Sequence, residues 1–229
     1  MKNILCIETA THPCSVALIV DGKPVFIKEE LDGPSHASLL GTFVNEASSY
    51  AKGNNLSIDA VAVSCGPGSY TGLRIGVALA KGICFGIDIP LIPIHSLTLL
   101  ASTVINEQQL PDDALLCPMI DARRMEVYSG IYSTTLEEIK PVSADIIDEQ
   151  SYLDYRSKGE LYVFGDGAEK CLEKLGEQVH FLKDVVPLAK NMYPLIQKAI
   201  TDGKVLKDPA YFEPFYLKEF VATVSKKPF

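Results

Sequence analysis

The sequence predicts an α/β protein made of two successive βββαβαβα units, the second reduced. Three observations lead there. An Asp21-Gly22 pair separates two apolar β-type runs, the strongest short-range signal of a hairpin. The apolar run Ile58 to Ser64 passes through a glycine-rich turn into a helical pattern, which reads as a strand entering a helix. The same order of elements then begins again near Ala114.

In order, Ile4 to Thr9, Ser15 to Val20 and Pro24 to Lys28 are β-type runs forming an antiparallel meander. In DGPSHASLLGTFVNEASSYAKG, Ser35 can cap a helix and Gly53 can end it. Leu39, Leu40, Phe43, Val44, Ala47 and Tyr50 fall on one stripe of that helix. After the strand Ile58 to Ser64 come a helix from about Thr71 to Phe85, a strand Pro90 to Ile94, and a helix from His95-Ser96 to about Asn106. The second unit has strands Leu115 to Asp121, Glu126 to Tyr132 and Ile139 to Ile147. Pro141 marks the last of these as an edge. A short helix Asp148 to Tyr155, a strand Leu161 to Gly165, a helix Ala168 to Leu175, a strand Val179 to Leu182 and a helix Ala189 to Thr201 complete it. No Rossmann chain begins with a three-strand meander. Two such units are the organisation of the actin-like, hexokinase-like and Hsp70-like ATPases, with ribonuclease H-like lobes. The break near Gln109 to Asp113 divides an N-terminal lobe, 1–109, from a smaller C-terminal lobe with an extended tail, 110–229.

A chain of 229 residues that is 47% apolar can bury a large core, and its net charge of -8 argues against unaided nucleic-acid binding. Cys6, Cys14, Cys65, Cys84, Cys117 and Cys171 show no C-x-x-C pairing and read as buried, reduced thiols. The N-terminus turns polar too soon for a signal peptide, and no apolar run is expected to reach membrane-spanning length. These features lead to the expectation of a cytoplasmic protein without a membrane partner.

The segment SCGPGSYTGLRIGVALAKG, Ser64 to Gly82, holds the glycine signal. A Walker A loop needs Lys and a hydroxyl after its last glycine, and a dinucleotide fingerprint needs G-x-G-x-x-G. Neither pattern is present. What remains is a strand, a sharp turn and a helix N-terminus, with hydroxyls on Ser69 and Thr71 and with Arg74 one turn in. Such a terminus can hold an anion, or can simply be a tight turn. Gly68, Gly72, Gly76 and Ala80 recur every four residues, and glycine inside a helix costs about 1 kcal/mol against alanine. Another backbone must therefore come close, belonging either to this domain's own sheet or to a partner's helix.

Catalytic patterns are sparse. His12, His36, His95 and His180 include no i, i+4 pair, which argues against a histidine metal site. Ser64-Cys65 lacks the G-x-S-x-G elbow. Asp121, Arg123, Arg124 and Glu126 crowd one hairpin, either as a polar site or as a solvated tip. Glu8 closes the first strand, where ATPases of this architecture usually carry an acidic residue near metal and phosphates.

ILCIETATHPCSVAL, SHASLL, AVAVSCGPGSYTGLRIGVALAKG, PLIPIHSL, PMIDARRMEVY and EPFYLKE together resemble the TsaB family of bacterial proteins across essentially the whole chain, and GPGSYTGLRIG is highly specific for it. The resemblance implies a non-catalytic partner of TsaD, the subunit that forms N6-threonylcarbamoyladenosine beside the anticodon of tRNAs reading ANN codons. It implies action with TsaD and the ATPase TsaE, a homodimer when alone, and only indirect tRNA contact. The DARR turn and Lys226-Lys227 are the residues for any direct one. Older names for such sequences are glycoprotease or M22-type peptidase. A metal-dependent peptidase, or an ATP-using enzyme of the superfamily, is the alternative.

TsaD resembles this chain at IPIHSLTLL, where it reads roughly V-H-H-M-E-G-H and holds its metal. Aligned on the shared Pro, those ligands fall on Ser96 and Leu100, so no metal site is implied here. In place of paired glycines in the adenosine-binding lobe stands VFGDGAEK, with Asp166 between Gly165 and Gly167. ATP or ADP is then implied only at the interface with TsaD. The resemblance also reassigns the two long helices to a four-helix bundle with TsaD, through His36, Leu39, Leu40, Phe43, Val44, Ala47, Gly72, Ile75, Gly76 and Leu79. Candidate anion- or nucleotide-binding residues are Glu8, Thr9, Gly66, Gly68, Ser69, Thr71 and Arg74.

Overall fold

The computed structural model describes residues 1–32, 36–157 and 159–218; the predicted cap Ser35 and the Lys226-Lys227 pair lie outside them. The first half of the chain runs β1 (Asn3–Glu8), β2 (Cys14–Val20), β3 (Lys23–Glu30), α1 (His36–Gly53), β4 (Ala60–Gly66), α2 (Tyr70–Ile87), β5 (Leu91–His95) and α3 (Ser96–Glu107). The second runs β6 (Leu115–Asp121), β7 (Glu126–Ser133), β8 (Glu138–Ile146), α4 (Leu153–Arg156), β9 (Leu161–Phe164), α5 (Leu172–Leu175), β10 (His180–Leu182) and α6 (Tyr193–Thr201).

The two sheets have one topology. The first is ordered β3-β2-β1-β4-β5, and the second, read from its far edge, β8-β7-β6-β9-β10. In each, the meander is antiparallel and the following strands join in parallel. The predicted two-unit, actin-like α/β fold is therefore the observed one, with the second unit reduced to four-residue helices α4 and α5. Asp21 and Gly22 both have positive φ, +45° and +85°, as a two-residue hairpin turn requires. Pro141 lies on the edge strand β8.

Alternation of side chains along β1 splits the first core into two faces. Ile4 and Cys6 pack with Ala17, Ile19, Ile92, Leu99 and α6; Leu5 and Ile7 pack with Val16, Val61, Val63, α1 and α2. Helix α3 closes the gap between sheets by laying Leu97, Leu100 and Val104 on Leu116, Ile120 and Phe164. Helix α2 is long and apolar enough by composition to cross a membrane, contrary to the sequence expectation, but it lies on the first sheet with Leu73, Val77, Ala80 and Cys84 buried. All six cysteines are buried free thiols.

The structure departs from the predicted elements where side chains compete with backbone. β4 starts at Ala60 because the Asp59 carboxylate accepts the N–H groups of Lys2 (2.7 Å) and Asn3 (3.1 Å). The helix expected from Asp148 begins only at Leu153: Asp148 Oδ1 accepts from the Gln150 N–H (3.0 Å) and the Ser151 hydroxyl (2.9 Å), closing a turn instead. The predicted C-terminal lobe, 110–229, also loses its last part to the first sheet. Ala189, Met192, Leu195, Ile196 and Ala199 pack on Ile4, Ala17 and Ile92, and the Ala189 N–H donates to Ser15 Oγ (2.9 Å).

Candidate functional site

Helix α2 is positioned by the β1–β2 loop. Ser69 is its N-cap and accepts the Gly72 N–H at 3.2 Å. The Ser69 N–H donates to the Ala10 carbonyl (2.6 Å), and Thr9 Oγ1 donates to the Gly72 carbonyl (2.8 Å). A Cβ on Gly68 would collide with the Ala10 carbonyl, one on Gly72 with the Thr9 carbonyl and one on Gly76 with Thr9 Oγ1. The close backbone that the four-residue spacing demands is the protein's own loop. Gly72 and Gly76 therefore face inward, which corrects their assignment to a partner-binding face.

The same correction applies on α1. Leu40, Val44 and Ala47 are buried on the first sheet, where each of the two larger side chains contributes roughly 1.5–3 kcal/mol of burial. Leu39, Phe43, Ile75 and Leu79 are half-buried between core and surface. His36 turns to the Pro13 carbonyl, 2.9 Å from Nε2, and lines a cleft instead of the outer face. The surface that α1 and α2 do present is rich in small residues. On α1 it includes Ala37, Gly41, Thr42, Asn45 and Ser49, and on α2 Ala78, Gly82 and Gly86, with Arg74 one turn before Ala78. A Cβ on Gly41, Gly82 or Gly86 would meet only open space, and Phe85 beside them is 89% exposed.

The cleft lies between the two sheets and measures about 710 Å³. Thr11, His12, His36 and Gly68 to Gly72 line it from the first unit; Asp121, Arg123, Tyr128 and Asp166 line it from the second. The crowded hairpin is thus part of this wall, with Arg123 and Arg124 at positive φ, 72° and 49°, holding the tight β6–β7 turn. Asp121 Oδ1 accepts the Arg123 N–H (2.9 Å), and Lys170 pairs with it. Of the candidate anion-binding residues, Gly68, Ser69 and Thr71 reach the cleft. Glu8 and Thr9 are fully buried behind it, and Gly66 is buried at φ +118° against the Phe215 carbonyl. Arg74 lies over the Tyr70 ring, 3.9 Å from its centroid, and donates to the Tyr216 hydroxyl at 3.3 Å, both of them cleft residues.

Glu8 organises the loop from below. Its Oε1 accepts the Ala10 N–H at 2.5 Å, while Oε2 has no partner among the described residues. Burial pushes this carboxyl up to about 7, against the smaller pull of hydrogen bonds from Ala10, Ser64 and Thr9. In front of it, Thr11 Oγ1 is likewise unpartnered, at 5% exposure, on the cleft wall. An N-terminal helix turn beside a free hydroxyl can receive an anionic group. Among the described residues no three His, Cys, Asp or Glu side chains come together at metal-binding distance. Ser96 and Leu100, where the ligands of TsaD fall, are both fully buried, with Leu100 packed beside Leu97 and Phe164. Gly165 and Gly167 pack against β6, and the Gly167 N–H donates to the Met119 carbonyl at 3.0 Å.

Sequence reasoning missed Thr11, Tyr128, Tyr216 and Lys218 as cleft residues, because they come from four distant segments that only the fold joins. The carboxylate at the end of β1 was the signal that this end of the sheet matters.

Comparison with known proteins gives a consistent result. The family model "TsaD: tRNA N6-adenosine threonylcarbamoyltransferase" matches residues 30–226. The tRNA threonylcarbamoyladenosine biosynthesis protein TsaB of Escherichia coli is 30% identical over 96% of this chain and 96% of its own length. TsaB of Haemophilus influenzae is 36% identical over 56% of the chain, a match spanning about half (53%) of that relative. A solved structure from Pseudomonas aeruginosa, described as an uncharacterized protein with similarity to peptidase YEAZ, superposes with a TM-score of 0.81. It covers 95% of this chain and 100% of that one, at 24% identity, a likeness of fold alone.

Proposed function

Because the chain belongs to the TsaB family of tRNA threonylcarbamoyladenosine biosynthesis proteins, within the wider TsaD family, we propose that it is the non-catalytic partner of a TsaD-type transferase. It pairs with TsaD through the outward surface of α1 and α2, and supports formation of N6-threonylcarbamoyladenosine in tRNAs reading ANN codons. The observation that carries this reading is the small-residue surface at Gly41, Ala78, Gly82 and Gly86, beside the exposed Phe85. Small residues let a partner's helix backbone approach, and an exposed aromatic is the residue type enriched where partners meet. When TsaD is absent, the same surface pairs two copies of the chain as a homodimer.

TsaE joins that complex, tRNA is contacted only indirectly, and the whole works in the cytoplasm. A nucleotide, ATP or ADP, is held where the two proteins meet. The turn Gly68 to Thr71 with the Thr11 hydroxyl offers it an anion-ready wall.

The test is co-purification with the TsaD of the same organism. Gly82→Arg and Gly41→Arg place a long charged side chain on the outward face without touching the core, and both should abolish the complex while leaving circular dichroism unchanged. Retention of the complex by both would overturn the interface. Tight zinc or ATP binding by the isolated chain, measured by metal analysis and calorimetry, would favour an enzyme in its own right.

A further inference from the structure

The segment 207–218 has no regular secondary structure, yet it touches both units. It leaves the first sheet at the Leu91–Leu206 bridge, and Phe212 enters the apolar cluster under α1 and α2. Lys81 Nζ donates to the carbonyls of Ala210 (2.7 Å) and Phe212 (2.8 Å). The Phe215 N–H donates to the Cys65 carbonyl at 2.7 Å, and the Phe215 ring stands edge-on to His95 with centroids 5.5 Å apart. Up to Phe215, then, the segment is fastened to the first unit by backbone bonds and apolar packing.

Beyond Phe215 the fastening changes kind. Among the described residues Tyr216 is held through its side chain, its ring 5.1 Å from Tyr70 and its hydroxyl accepting from Arg74 Nε. Lys218 crosses to the second unit and pairs with Glu126 on β7. Tyr216, Leu217 and Lys218 also form one wall of the cleft that holds the unpartnered Thr11 hydroxyl. Among the described residues, a strap fastened to the first unit thus reaches the second at Lys218, where its ion pair with Glu126 spans the two units at the cleft wall. The Lys218 and Glu126 side chains are 44% and 20% exposed, so solvent ions compete for this tie.

We infer that Tyr216 to Lys218 form an ionic latch: the Lys218–Glu126 pair ties the strap of the first unit to β7 of the second and thereby limits access to the inter-lobe cleft. The latch opens when the pair is screened or when an anion takes Lys218 from Glu126.

Tyr128→Cys puts a reporter on the cleft wall at a half-buried position beside Lys218, and the six native cysteines are buried. Reaction of the full-length variant with a neutral reagent, N-ethylmaleimide, should accelerate about fivefold when Glu126→Gln or Lys218→Gln is added, the scale of one rim-exposed ion pair. Without any further substitution, raising NaCl from about 50 mM to about 500 mM should produce the same acceleration, and salt should have no effect once Glu126→Gln is present. The double reversal Glu126→Lys with Lys218→Glu should return the rate toward that of the Tyr128→Cys chain. Equal rates in all these chains, or an acceleration by salt that persists in the Glu126→Gln background, would overturn the latch.

Discussion

Replacing Glu8 by glutamine tests whether the end of β1 carries a neutral acid. The carboxyl has no solvent exposure, one oxygen bonded to the Ala10 N–H and one without a partner among the described residues. Its folded value is about 7 against an ordinary 4.5. Below 4.5 both folded and unfolded chains keep the proton, and burial costs nothing electrostatically. Between 4.5 and 7 the unfolded chain releases its proton while the folded one retains it, so stability falls as pH rises. Above 7 the loss is complete. The difference of about 2.5 pH units corresponds to about 3 kcal/mol at about 1.4 kcal/mol per unit. The glutamine side chain has the same shape and no charge, so subtracting the variant's urea unfolding free energy from that of the parent at each pH cancels every other titrating group. The difference should shift by about 3 kcal/mol in favour of Glu8→Gln between pH 4.5 and pH 8. A difference that stays flat over that range would show that Glu8 titrates normally and that its burial has been misjudged.

The glycines divide by direction. Gly72→Ala and Gly76→Ala each drive a methyl into Thr9 and should destabilise by roughly 1–3 kcal/mol, whereas Gly82→Ala fills open space in a helix and should stabilise by up to about 1 kcal/mol. Thermal unfolding of the three variants checks this, and equal effects would refute the inward orientation of residues 72 and 76.

Much of the fold was legible because its signals are local. The Asp21-Gly22 turn, Pro141 on an edge strand and the apolar run leading into the glycine turn each depend on a few adjacent residues, and all three are observed. Direction was not legible. A four-residue repeat places Gly72 and Gly76 on one face of α2, with Gly68 in the turn before it, but does not state what lies opposite, and that turned out to be Thr9 and Ala10. The outward glycines, 82 and 86, sit in the same sequence stretch and carry the opposite meaning. Long-range assembly was the other gap. Nothing near Lys218 in the chain announces Glu126, and nothing near Arg74 announces Tyr216; the residues meet because the last segment returns to the first sheet. Asp148 shows a third kind of miss, where a single side chain replaced the first turn of a helix.

The most direct measurement of the proposed partnership is reconstitution: the TsaD of the same organism with TsaE, a threonylcarbamoyl donor and a tRNA reading ANN codons, assayed for N6-threonylcarbamoyladenosine with and without this chain. Product should form only when the chain is present. The Gly82→Arg chain should fail to support it, while Glu8→Gln should support it at neutral pH, where the native carboxyl already keeps its proton about half of the time. Modification at full rate without the chain, or undiminished rate with Gly82→Arg, would contradict the role assigned to it.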